Sequence, residues 1–182
     1  MKHFLLSCAS AAAFGIALPA AAHVALEQGA APAGSSYKAT FKVGHGCGSS
    51  ATRQLVVSMP AGVLGARPMP KPGWTVAIDR APLPKPVSSH GRTVSEAVTR
   101  ITWTARSADA ALPSDQYDEF VLVAQLPAEP GPLYWPVSQV CEQGRVDWAQ
   151  LPQARQKAGD LKEPAAVLEV LPAGGHSHGH RH

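Results

Sequence analysis

Charge is scarce in this chain. Asp and Glu number 13 and Lys and Arg 16 among 182 residues, for a formal net charge of +3. The basic residues are scattered among prolines and apolar positions, so they build no basic stripe and argue against a nucleic-acid partner. Long apolar runs are missing after Leu18, where nothing approaches the roughly 20 residues needed to cross a bilayer. The catalytic signatures H-E-x-x-H and the phosphate-cradling P-loop are absent too, and no constellation of catalytic residues assembles. Cysteine is limited to 3 positions, Cys8, Cys47 and Cys141, with no C-x-x-C spacing among them.

The N-terminus is where the chain departs from this blandness. A basic start (Met1, Lys2), an alanine-rich apolar run from Phe4 to Leu18 and the small residues Ala20-Ala21-Ala22 form a secretory signal, with cleavage expected between Ala22 and His23. Cys8, preceded by Leu5-Leu6-Ser7, imitates a lipoprotein box, but a cut there would leave almost no apolar segment. Cleavage at His23 leaves about 160 residues, the size of one domain. The expected organisation is a signal peptide over 1–22, one domain over 23–171 and a flexible His-rich tail over 172–182. The expected location is periplasmic or secreted. In such an oxidising compartment Cys47 and Cys141 are expected to pair, with soft metal ligation as the alternative.

The 17 prolines and 16 glycines cut the chain into segments that read as strands. Tyr37 to Val43 alternates apolar and polar residues. Gln54 to Met59, Trp74 to Ile78, Val98 to Ala105, Glu119 to Leu126, Leu133 to Val140 and Arg145 to Trp148 follow, the last two bracketing a hairpin turn at Glu142-Gln143-Gly144. Ala165 to Leu171 reads as a final strand. Ala81 to Ser95, rich in proline and serine, reads as a long surface connection with His90 solvated in it. Gln150 to Leu161 reads as one short helix or an irregular segment. This spacing predicts an all-β, antiparallel β-sandwich, cupredoxin-like or immunoglobulin-like.

His23 carries the chemistry. As a first residue it would offer its α-amine and its Nδ1 to one ion in a six-membered chelate, a nitrogen donor set that suits the tetragonal plane of Cu(II). The competing explanation is that the signal cut leaves a histidine there by chance. Met59 and Met69 are potential soft ligands, with core packing preferred for Met59 and Met69 left open. His45 could join a metal site or serve as a turn residue beside a disulfide, and the second is preferred. Trp74 and Trp103 read as core.

Several short motifs occur in one order: Ala22-His23-Val24, His45-Gly46-Cys47-Gly48, Met59-Pro60-Ala61-Gly62-Val63, Pro68 through Trp74, Ile101-Thr102-Trp103-Thr104, Tyr117-Asp118-Glu119-Phe120 and Gln139 through Trp148. Together they resemble the YcnI-like family of secreted copper-binding proteins, over His23 to about Pro152. The resemblance implies one Cu(II) held by His23 and a carboxylate, with a tryptophan beside the metal. By position the carboxylate is Glu119 and the tryptophan Trp148. Gln116 stands where the family often has an acidic residue, so the alternatives to Glu119 are Asp118 and no carboxylate ligand at all. Strand alternation sends the two carboxylates to opposite faces, so only one of them can reach the site, and Glu119 is favoured. An indole wall would limit solvent at the metal and tune it.

The tail alternates His176, His178, His180 and His182 with Ser, Gly and Arg, unlike an uninterrupted tag, and is expected to bind Cu(II), Zn(II) or Ni(II) modestly. The expected function is therefore a non-enzymatic periplasmic copper-binding protein, a chaperone or sequestering factor. Its expected partners are copper and other periplasmic copper chaperones or membrane copper transporters. Two alternatives remain: an oxygen-activating copper enzyme, which would need a second imidazole from His45 or His90, and a metal-free interaction module.

Overall fold

Strand pairing places nearly every apolar segment of the chain in one of three sheets. The structure, a computed structural model, describes residues 23–89 and 91–174. The leader, His90 and the tail histidines lie outside the described residues. The strands, in chain order, are β1 (Ala25–Leu26), β2 (Ala30–Pro32), β3 (Ser36–Val43), β4 (Thr52–Ser58), β5 (Leu64–Pro68), β6 (Trp74–Ser89), β7 (Arg92–Ala105), β8 (Asp118–Gln125), β9 (Gly131–Trp135), β10 (Val137–Cys141), β11 (Arg145–Trp148) and β12 (Ala166–Leu171). One sheet has the order β1-β3-β8-β5, the second β11-β10-β4-β7-β6, and a smaller third β2-β12-β9. Pairing is antiparallel except for β2 with β12, which run parallel.

Alternation explains the core. On β3, Tyr37, Ala39, Phe41 and Val43 are buried, and on β8 Phe120, Leu122 and Ala124 are their inward counterparts. The second sheet answers with Leu55, Val57, Ile101, Trp103, Val137 and Trp148. Phe120 bridges the layers, meeting Trp74 edge-on at 5.0 Å and Trp103 at 5.8 Å between ring centroids. This edge-to-face geometry is favoured by the ring quadrupoles. Trp74 and Trp103 are thus core residues. Met59 packs partly buried against the same cluster, while Met69 is 52% exposed.

The sequence reading departs from the structure most at Ala81 to Ser95. Instead of a surface connection, β6 and β7 form one long antiparallel hairpin, paired from Trp74↔Ala105 out to Ser89↔Arg92 with shifts near Asp79 and Pro82. Proline is normally a strand breaker because it cannot donate to a ladder. Pro82, Pro84 and Pro86 escape this because β6 is an edge strand, and because its pairing with β7 is interrupted between Pro82 and Val87, which leaves Pro84 and Pro86 without a ladder position to fill. They also blunt an edge that would otherwise invite another strand. The segment Gln150 to Leu161 is irregular and contains only a 3-10 turn at Ala158–Asp160. The short β1, β2 and β5 were not visible as patterns, since two to five residues interrupted by Gly65, Pro32 or Pro68 carry no period.

Two ties hold the N-terminal region. Cys47 and Cys141 form a disulfide that joins the β3–β4 turn to the end of β10, across 94 residues of sequence. Tyr37, 2% exposed, donates its hydroxyl to the Gln28 carbonyl at 2.6 Å and so pins the β1–β2 turn onto β3. Replacing both cysteines by alanine is expected to cost about 3 to 5 kcal/mol, read by urea unfolding, because so long a closed loop strongly restricts the unfolded chain. Burial raises the Tyr37 phenol from 10.0 to about 12. Above its ordinary value the unfolded chain releases this proton while the folded chain keeps it, so stability is full below about pH 10 and falls as pH climbs towards 12. Tyr37→Phe should flatten that alkaline loss in pH-dependent melting curves.

Candidate metal centre

The site is built around a buried amide. Gln139 faces inward on β10 between Val137 and Cys141, and is 1% exposed. A primary amide in a β-sandwich core must satisfy two N–H donors and a carbonyl. Its Nε2 donates to the backbone carbonyl of His45 at 2.6 Å and to Thr52 Oγ1 at 2.8 Å. Its Oε1 accepts the Trp148 Nε1–H at 3.0 Å. One side chain therefore positions both the indole of β11 and the turn that carries His45.

Two imidazoles lean on that indole. The His23 ring lies 5.6 Å from the Trp148 ring, centroid to centroid, and the His45 ring 6.2 Å, both edge-on. β1 is the outer strand of its sheet, registered against β3 as Ala25↔Lys42 and Leu26↔Phe41. That pairing sets the N-terminal end of β1, two residues after His23, beside the end of β3 that leads into the His45 turn. His23 lies beyond the paired residues of β1, so pleat alternation does not bind its side chain. It also borders a cleft of about 220 Å³ between β1 and the β12 segment, lined by Val24, Leu26, Pro164 and Ala166.

The His45 turn is tightly held. The Gly46 N–H donates to the Ser114 carbonyl, and Cys47 and Ser50 exchange backbone hydrogen bonds at 3.1 and 3.2 Å. A Cβ on Gly46 would sit 1.9 Å from the Ser50 carbonyl oxygen, so only glycine fits there. His45 Nδ1 is 2.6 Å from the Gly46 carbonyl oxygen. A carbonyl cannot donate, so Nδ1 carries the proton, and in the uncharged tautomer that leaves the lone pair on Nε2.

The carboxylates lie elsewhere. Glu119 is exposed on the outward face of β8, opposite Lys42, while Phe120 beside it is buried. Its Oε1 accepts from the Tyr117 hydroxyl at 2.6 Å. That bond is the first cause raising the Tyr117 phenol to about 12. Asp118 is paired with Lys71 Nζ at 2.7 Å and accepts the Glu119 N–H at 2.7 Å. Among the described residues no ion pair joins either carboxylate to His23, and no three His, Cys, Asp or Glu side chains cluster to hold a metal. The structure thus brings His23 and Trp148 together, as the sequence reading paired them. It adds His45 and Gln139 and sets Glu119 on the other side of its sheet. Gln139 was missed although its parity in Val137–Cys141 points inward.

The described residues form an all-β sandwich of antiparallel sheets. The chain belongs to the DUF1775 family, described as a domain of unknown function, whose sequence model matches residues 23–170 and which is the domain of YcnI-like proteins. Its fold is similar to that of a crystal structure of an uncharacterized protein from Nocardia farcinica, reported to have an immunoglobulin-like fold. The TM-score is 0.64 at 27% identity, covering 84% of this chain and 99% of that one. The comparison with curated proteins gave no match.

Gln139→Leu should destabilise the domain by roughly 2 to 5 kcal/mol, because it orphans the Trp148 N–H, the Thr52 hydroxyl and the His45 carbonyl at once. Chemical unfolding followed by near-UV circular dichroism reads both the loss and the loosened indole. An unchanged midpoint would show that the amide is not what fixes this site.

Proposed function

We propose that this is a periplasmic copper-binding protein that holds one Cu(II) at His23 once export has trimmed the chain to begin there, in copper trafficking or sequestration. The observation that carries this reading is the seat of the His23 ring against Trp148. With few side-chain donors gathered around the indole, a residue that supplies two nitrogens by itself suits the place. The α-amine and Nδ1 of His23 would do so, in a chelate matched to cupric preference. The indole forms an apolar wall that restricts water on one side of the ion.

Family membership supports the reading through the motifs already quoted. The resemblance also assigns a carboxylate ligand, Glu119, but its outward placement and its bond to Tyr117 leave the chelate resting on His23. Among the described residues no set of groups around the indole is arranged for acid–base or nucleophilic work, which favours holding metal over turnover. The tail histidines would add weaker capture.

The experiment is isothermal titration of Cu(II) into chain beginning at His23, compared with chain carrying one extra residue before it. Both forms have the four tail histidines replaced by glutamine. One tight equivalent is expected only in the first form. The extension should weaken it by about 100-fold or more, beyond what a merely orienting residue costs. Equal affinities in the two forms would refute chelation by the amine, and no tight site in either would return the domain to a metal-free module.

A further inference from the structure

We infer that His45 is a second imidazole ligand of the same ion, so that the site is a three-nitrogen plane built from the His23 amine, the His23 ring and the His45 ring. This rests on the His23 reading above. Three independent features of the structure point to it. His45 and His23 contact the same indole, at 6.2 and 5.6 Å, and the β1–β3 pairing sets the N-terminal end of β1 beside the end of β3 that leads into the His45 turn. The His45 Nδ1–H is occupied by the Gly46 carbonyl, at 2.6 Å. That is the arrangement which fixes the tautomer of metal-binding histidines and leaves Nε2 to coordinate. The backbone of His45 is itself anchored, by Gln139 at 2.6 Å and by the disulfide two residues on.

Such anchoring is more than a solvated turn residue requires. A ligand pre-placed on a rigid turn loses little entropy on binding, which is where the affinity of a small site comes from. The same reasoning disfavours Glu119, whose carboxylate lies on the outer face and is already bound by the Tyr117 hydroxyl.

Electron spin-echo envelope modulation of the copper-loaded chain beginning at His23, with tail histidines replaced as before, counts coordinated imidazoles through their remote nitrogens. Two are expected in the unaltered site and one in His45→Gln, with affinity for Cu(II) at least about tenfold weaker. For His45→Ala, added free imidazole should restore the second signal. One imidazole in the unaltered protein would overturn the inference without relying on any variant. So would His45→Gln binding as tightly as the parent, or Glu119→Gln reproducing the loss while His45→Gln is silent. Failure of the amine-blocked comparison is a different result. It removes the His23 chelate itself, whereas one imidazole with amine-dependent binding removes only His45.

Discussion

The buried amide of Gln139 is the constraint on which the site depends. Placing it inside a sandwich core costs desolvation unless every polar atom is matched, and here the match consumes the indole N–H, a threonine hydroxyl and the carbonyl of His45. Because the amide has one orientation that satisfies all three, it converts a packing problem into a positioning device. The same polar group that is expensive to bury makes Trp148 and the His45 turn mutually rigid. An apolar residue in its place could fill the volume and would specify nothing about where the imidazole stands.

Around that amide the fold supplies two further restraints of different kinds. The disulfide from Cys47 to Cys141 ties the His45 turn to the strand that carries Gln139. On the other side, β1 is only two residues long, and its hold on β3 comes from backbone pairing, the Tyr37 bond to Gln28 and the Glu27–Lys42 ion pair at 2.8 Å. The ion pair is exposed and worth little. So one imidazole sits on a covalently fastened turn and the other on a lightly held edge strand. The edge is also the place where a chain can begin without burying unsatisfied backbone groups.

The sequence made the framework legible where a pattern is repeated several times. Alternation over Tyr37–Val43 and Glu119–Leu126, and the turn before Arg145, appear in the structure as β3, β8 and the β10–β11 hairpin. It misled where a local rule is overridden by position. Pro82, Pro84 and Pro86 look like breakers until β6 proves to be an edge, and then their missing N–H groups cost nothing. The site followed the same division. His23 and Trp148 stood out by chain position and motif. His45 did not, because a histidine in a glycine-rich turn becomes informative only when the far strand bearing Trp148 is folded against it. Glu119 is favoured by its place in the Tyr117–Phe120 motif, and alternation adds that it and Asp118 face opposite ways, which their burial agrees with. Alternation says nothing about which face holds the tryptophan, and the pairing of β8 with β3 puts Phe120 there instead.

On the proposed reading, the chemistry of a chain-terminal ligand would link the site to export. While His23 is joined to Ala22, its nitrogen is an amide whose lone pair is delocalised into the carbonyl, and it offers no ordinary donor to a metal. Cleavage there would turn that nitrogen into an amine, a group whose ordinary pKa is about 7.7 to 8.0, from which a cupric ion would displace the proton readily near neutral pH. On the proposed reading the folded scaffold, with its amide-locked indole and anchored His45, exists independently of this event, but the donor set is complete only after it. Copper would then be captured by a protein already outside the cytoplasm and not by its precursor. A side-chain-only site made of internal histidines would have no such dependence, so on that reading a single terminal residue, more than any feature of the core, would set where this domain can work.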